Sequence, residues 1–425
     1  MLIASTSTPH FAATRTQALR RLREFLPHAA QYGARRNFVD NRHENVSRLS
    51  PAIRHRALLE EEVVNSALGR FAFPSVEKFV QEICWRTYWK GWLEMRPQIW
   101  RDYRRDVRRL WADSGPGVSQ RASDVCAGRS GVAVMDRFAC ELRETGYLHN
   151  HARMWWASFW VHVEKLPWQI GADFFYRHLL DADPASNTLG WRWVAGLQTR
   201  GKCYLVRRSN LERYCSDDLL ADATGLDRLH GVEPMALQDA ATPANCEPMQ
   251  DLGVDWMAPH GRYGLWIHTD DLAPEIGVLS EARPSSLAAF TSFSSYQQLG
   301  LSELRQIRLK CVLKDAANRA ERHFQIPGKV SETESISIGL AEWAHREQLD
   351  HVIAYAPFVG SVADAIPAIR QSLGRAGCEL LLFRRGWDRD LFSGARAGFF
   401  PFWKHARQVL QNRKTSAAPS PASLG

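Results

Sequence analysis

The chain has 425 residues, 45% hydrophobic and 24% charged, a balance that excludes fibrous and disordered classes and gives room for two or three domains. No window reaches the apolar length of a membrane span, no basic-then-apolar leader opens the chain, and its eight cysteines show no Cys-x-x-Cys spacing, so the expectation is a cytoplasmic protein with neither membrane nor metal as partner. Formal net charge is +8, distributed unevenly: residues 1–215 carry 33 Lys and Arg against 21 Asp and Glu, and residues 216–425 carry 21 against 25. A basic first half is compatible with a phosphate-rich partner such as nucleic acid and equally with a merely soluble domain.

In chain order, residues 1–14 read as a flexible N-terminus. Leu19, Leu22 and Leu26, spaced by three and four, predict a first helix over 15–29 that Pro27 interrupts. A basic loop follows over 32–50. Ser75 can cap a long helix over 75–95 that Pro97 ends; it carries a stripe of Trp85, Trp89 and Trp92 beside a stripe of Glu82, Arg86 and Lys90. Further helices are expected over 132–145, 148–165, 171–180 and 185–197, so that 15–215 reads as one all-helical domain. Residues 216–260 lose periodicity and read as a linker. From 261 to 411 short apolar runs at 264–268, 335–339, 351–355 and 379–383 alternate with helical segments at 302–323, 339–348 and 361–376, the texture of a small, Rossmann-like α/β domain with a mainly parallel sheet. Residues 412–425, rich in Ser, Pro and Ala, read as a disordered tail. The expected fold class is therefore multidomain, helical and then α/β.

Eleven of the sixteen tryptophans fall between residues 85 and 193. The densest block, 181–193, holds Asp181, Asp183, Asn187, Trp191 and Trp193. One reading is a helix start, with Asp181 or Asp183 as the cap, Pro184 in the first turn and the indoles as core. The other is a site for a planar ligand, whose polar edge the acids and Asn187 would bind while the indoles stack or relay electrons.

Four blocks in order resemble the FAD-binding helical domain of the photolyase and cryptochrome family: Tyr32 with Ser47-Arg48-Leu49-Ser50-Pro51; Glu82-Ile83-Cys84-Trp85-Arg86; Gly146 to Met154; and Asp181 to Trp193. With little chain before Tyr32, the sequence is similar to short prokaryotic photolyases that lack an N-terminal antenna domain. Residues 265–272 and 398–404 resemble the first strand and the exit of such a domain, displaced to the C-terminal side. The resemblance implies FAD, its diphosphate held by Tyr32, Ser47, Arg48, Leu49, Ser50 and Arg86, with Val46 departing from the threonine the family often has. It also implies an Arg153–Asp181 ion pair against the flavin, joined by Asn150, with Asp183 on the polar ring edge and Asn187 at N5. Glu82, Trp85, Met154 and Trp193 match positions that contact damaged bases, and Asn150 and Met154 stand where enzymes for the sixfold-linked photoproduct have paired histidines, which favours the cyclobutane dimer. Trp191 and Trp168 match the inner members of an electron-relay chain, with Trp111, or second Trp100, as the outer one.

The implied activity is that of a carbon–carbon lyase: light-driven DNA repair, in which excited reduced FAD lends an electron to a flipped cyclobutane pyrimidine dimer. Arg54, Arg56, Arg192, Arg200, Arg207 and Arg208 would neutralise phosphates of DNA. The alternative is a blue-light signalling flavoprotein of cryptochrome type without repair, since fold alone does not separate the two. An antenna chromophore and protein partners are left open.

Overall fold

The computed structural model describes residues 11–199, 202–235, 246–250, 252–253 and 255–416. Its first part is helical: α1 (Arg15–Phe25), α2 (Glu60–Arg70), α3 (Phe73–Glu94), α4 (Pro97–Asp113), α5 (Pro116–Cys126), α6 (Ala133–Thr145), α7 (Asn150–Ser158), α8 (Trp168–His178) and α9 (Pro184–Val194), with shorter helical turns between them. A capping box opens α1, the Thr14 hydroxyl accepting from the Gln17 N–H and the Gln17 amide oxygen accepting from the Thr14 N–H. α1 stops at Phe25, and Pro27 lies in a 3-10 turn instead. Pro97 both stops α3 and opens α4, because the first helical position needs no N–H. α2, α4 and α5 were not among the expected helices.

The segment expected to be a linker begins as part of this unit. Leu219, Leu226 and Leu229 are buried in its core, and the Ala133 N–H donates to the Thr224 carbonyl at 3.0 Å.

The second part is a sheet of five parallel strands, β1 (Tyr263–Ile267), β2 (Ser286–Thr291), β3 (Gly328–Glu332), β4 (His351–Tyr355) and β5 (Glu379–Phe383), in the order β3-β2-β1-β4-β5. One face buries Leu265, Ile267 and Ile353 under α10 (Glu303–Phe324); the other buries Trp266, Val352 and Leu380 under α11 (Ile336–Arg346) and α12 (Ser361–Arg375). Helices on both faces explain the continuous apolar runs of β1, β4 and β5. The alternating run 335–339 is a correction: it opens α11, with the Ser335 hydroxyl capping the Ile338 N–H, and Ile338 is exposed. β2 and β3 were not expected, since β2 is rich in alanine and the edge strand β3 is largely polar.

The C-terminal end returns to the helical unit. Trp387, Leu391, Phe399, Phe402 and Trp403 belong to its core, and α13 (Phe399–Ser416) packs along α3, where Tyr88 donates to the Ala397 carbonyl at 2.8 Å and Trp387 to the Thr87 hydroxyl at 3.1 Å. The α/β boundary expected at 411 therefore overshoots, and helix runs into the expected tail as far as Ser416.

Buried charges join the two parts. Arg56 holds Asp388 with two hydrogen bonds at 2.8 and 2.6 Å and meets Glu60 at 3.2 Å and Asp271 at 3.5 Å. Lys90 of α3 pairs with Glu60 at 2.9 Å, and Arg385 holds Asp271 with two bonds at 2.6 Å. Burial pushes the Glu60 carboxyl up, but Arg56 and Lys90 outweigh it and hold it well below the usual range; Asp271 is lowered in the same way by Arg385 and Arg56. A carboxylate lowered by folding adds stability above its unfolded pKa of about 4 and loses it as pH falls through the folded value. Thermal melts should therefore fall off below about pH 4. Glu60→Gln, which strands Lys90, should cost about 3–5 kcal/mol in urea melts at pH 7 and weaken that acid dependence; wild-type stability in the variant would contradict this account.

Candidate functional site

Two cavities of about 410 and 430 Å³ share Arg36, Glu82, Arg86, Asn150, Arg153, Met154 and Asp181 as a common wall, and together form a two-chambered cleft among α3, α7 and α9. The first chamber is polar. Tyr32, Ser47, Arg48 and Ser50 line it, whereas the Leu49 side chain is buried beneath the turn, leaving only its backbone to offer. The turn is held from behind: Arg21 of α1 donates to the Ser47 carbonyl at 2.9 Å and to the Val46 carbonyl at 3.1 Å, and Arg48 sits in the left-handed region at φ 55°.

At the junction Arg153 pairs with Asp181 at 3.0 Å and donates from Nε to the Leu148 carbonyl at 2.8 Å. Burial raises the Asp181 carboxyl, yet Arg153 and Arg86 bring it below the ordinary value. Asp183 serves twice. Its Oδ1 caps α9, accepting from the Ala185 and Ser186 N–H groups at 2.8 and 3.0 Å, with Pro184 in the first turn. Its Oδ2 is buried without a hydrogen-bond partner, 3.5 Å from the equally unpartnered Nη1 of Arg86. Asp183 is lowered too: burial raises it, and Arg54, Lys90 and Arg86 outweigh that. Asn187 donates to the Ala172 carbonyl at 2.8 Å, which holds its amide in the cavity wall with the oxygen unspent.

The second chamber gathers Glu82, Trp85, Met154 and Trp193 with Asn150 and Asn187. Trp85 is backed by Phe399 of α13, ring centroids 3.5 Å apart and 4° from parallel, while Trp193 lies on Tyr204 at 5.7 Å. Glu82 is not a free acceptor: Arg36 meets it at 2.7 Å and Lys78 at 3.4 Å. Arg36, one helical turn after Tyr32, and Phe399, from the far end of the chain, are wall and support residues that the motifs did not mark.

Trp191 forms part of the same wall, packed edge-on to Phe175 and Trp156 at 5.1 and 6.2 Å; α8 approaches so closely that a Cβ on Gly171 would fall inside its indole. Trp168 stacks on Tyr103 at 5.6 Å. Of the two outer candidates, Trp111 is 39% exposed, and Trp100 is sealed, donating to Asp364 of α12 at 2.8 Å. Trp155, Trp156 and Trp160 are core.

The expected phosphate-binding arginines need correction. Arg54 is buried and bonded to Asp270 at 2.9 Å, Arg56 is spent on Asp388, Glu60 and Asp271, and Arg192 is 8% exposed, because the 54–56 turn docks onto the loop after β1 and α9 is buried nearly all round. Arg207 is exposed, Arg208 pairs with Glu212 at 2.7 Å, and Arg200 lies outside the described residues. A further cavity of about 490 Å³ opens between the helical unit and the ends of β4 and β5, where Arg56, Arg384 and Arg385 are already paired with carboxylates.

FAD suits this cleft on the structure's own terms. Asp183 Oδ2, Arg86 Nη1, His149 Nε2 and Trp191 Nε1 are all buried, without a hydrogen-bond partner and on its walls, an acceptor and donors that a polar, anionic, ring-bearing ligand would satisfy.

Residues 79–214 match the family described as the FAD binding domain of DNA photolyase. The deoxyribodipyrimidine photo-lyase of Streptomyces griseus is 33% identical over 154 residues, 36% of this chain and 32% of that protein. The Escherichia coli enzyme of the same name is 28% identical over 214 residues, 47% of this chain and 43% of the relative; in both cases the chain spans less than half the relative's length. Among solved structures, a class III photolyase of Agrobacterium tumefaciens superposes with a TM-score of 0.39 at 26% identity, covering 47% of this chain and 42% of that one, and a Synechocystis cryptochrome with 0.40 at 21%, covering 54% and 50%. Residues 79–214, which supply most of the cleft walls within the helical unit, are thus similar to the FAD binding domain of DNA photolyase.

Proposed function

We propose that the protein repairs DNA by light, acting on a cyclobutane pyrimidine dimer taken out of the duplex and held in the second chamber. The observation that carries this reading is the convergence of Trp85, Trp193, Glu82 and Met154 on one cavity, divided from the polar chamber only by a shared wall. FAD, when bound, supplies light absorption and the single electron that opens the cyclobutane ring. Tyr32, Ser47, Arg48, Ser50 and Arg86 would hold its diphosphate, and Arg153, Asp181, Asp183 and Asn187 its ring.

The remaining chemistry belongs to the chain. The two indoles give an extruded pair apolar faces to stack on, in return for the few kcal/mol of unstacking. The Glu82 carboxylate, steadied by Arg36 and Lys78, presents an acceptor to the N–H edge of a pyrimidine. The Arg153 guanidinium stabilises negative charge that develops beside it, and its bonds to Leu148 and Asp181 fix its place before any charge appears. Trp191, buried and lining the same chamber as Asp183 and Asn187, would be the inner oxidisable indole, and exposed Trp111 is the outer candidate for exchange with reductants in solution.

Illuminating the reduced, FAD-loaded protein with a dimer-containing oligonucleotide should restore the ultraviolet absorbance of the separate bases. If the dimer persists while FAD is bound and photoreduction proceeds, repair is excluded and the signalling reading takes its place. Trp193→Ala should weaken binding of the dimer oligonucleotide about fivefold to a hundredfold, the worth of one stacking surface, with FAD content unchanged. Trp191→Phe should slow photoreduction yet leave repair by chemically reduced protein intact; loss of both would overturn the separate roles of relay and lesion wall.

A further inference from the structure

With Arg54, Arg56 and Arg192 buried, the charge that meets a phosphate backbone has to come from other elements. From Leu391 to Gly425 the sequence has no Asp or Glu, while Arg396, Lys404, Arg407, Arg413 and Lys414 are cationic. The structure sorts this segment into two faces. Phe399, Phe402, Trp403, Ala406 and Leu410 are buried against the helical unit, and Phe400, Lys404, Arg407 and Gln411 are exposed, at the spacing of a single helical face. Phe400 is 76% exposed, more than any other Phe or Trp among the described residues. It is also firmly placed, because its neighbour Phe399 stacks on Trp85, a wall of the second chamber. Arg407 lies over the Phe73 ring at 5.3 Å and pairs with Glu77 at 3.6 Å, an exposed ion pair that contributes little and is readily exchanged for a phosphate.

We propose that the first turns of α13 form a DNA-contacting wedge: Phe400 enters the stack vacated by the extruded pair, and Lys404 and Arg407 neutralise the flanking phosphates. This rests on the reading that the second chamber receives a flipped dimer. A large aromatic held in water close to such a chamber, on a helix that carries cations and no carboxylate of its own, has the chemistry of side chains that fill an opened base step. A protein partner with an acidic, apolar groove is the competing occupant, and it predicts no dependence on the lesion.

Fluorescence anisotropy with a dimer-containing duplex and its undamaged counterpart, at several salt concentrations, tests the wedge. Phe400→Ala should weaken binding of the damaged duplex about fivefold to tenfold and leave the undamaged one nearly unchanged. Lys404→Gln should weaken both and lower the salt slope by about one. Both side chains lie in solvent, so FAD content and melting temperature should stay at wild-type values, and Phe293→Ala, another exposed phenylalanine, serves as the control. Wild-type affinity in both variants, while the wild-type protein still prefers the damaged duplex, would overturn the wedge alone. A wild-type protein with no preference for the damaged duplex would overturn the repair reading and the wedge with it.

Discussion

Arg56 has almost no access to water, and the rest of the molecule is arranged around keeping it neutralised. Its partners come from three places: Glu60 at the start of α2, Asp271 in the loop after β1, and Asp388 in the helix that follows β5. Lys90 and Arg385 complete the group, so three cations face three carboxylates, and the Phe358 ring lies under both Arg56 and Lys90 at 4.5 and 4.0 Å. A charge buried this deeply is tolerable only when every partner is in position, and removing one leaves another stranded. The cluster therefore specifies how the sheet sits on the helices more strictly than apolar contact would.

That constraint reaches the cleft through α3. The helix places Lys90 in the charge cluster, Glu82, Trp85 and Arg86 in the cleft wall, and Thr87 and Tyr88 against the C-terminal segment. Arg54 and Lys90, both committed to structural pairs, also help hold the Asp183 carboxyl below its usual range in the wall of the second chamber. Site and scaffold thus share one electrostatic system, in which Asp183 Oδ2 and Arg86 Nη1 form a loose ion pair at 3.5 Å and have no hydrogen-bond partner.

Asp183 shows why two readings of one block need not compete. A carboxylate has two oxygens: one caps α9 and sets its direction, so the other is aimed without further cost. Trp191 and Trp193 diverge because two positions along a helix turn through about 200°, one packed among Phe175 and Trp156 and the other resting on Tyr204.

The sequence by itself determined whatever depends on short spacing. Glu82 to Arg86, Gly146 to Met154 and Asp181 to Trp193 each lie within a few helical turns, so their intervals already imply helical faces, and their resemblance to one family implies a common ligand; the apolar runs of β1, β4 and β5 pointed in the same way to the parallel sheet. Only the tertiary structure decided what depends on a distant partner. Arg54 and Arg56 look like surface cations until the loop after β1 supplies their carboxylates, more than 200 residues away. The run 335–339 alternates like a strand, yet Ser335 caps a helix there, and residues 399–411 read as the end of the α/β domain until Phe399 meets Trp85. Burial and pairing are properties of contacts between remote segments, and no local pattern of residues encodes which charge will find its partner inside the protein and which will be left facing water.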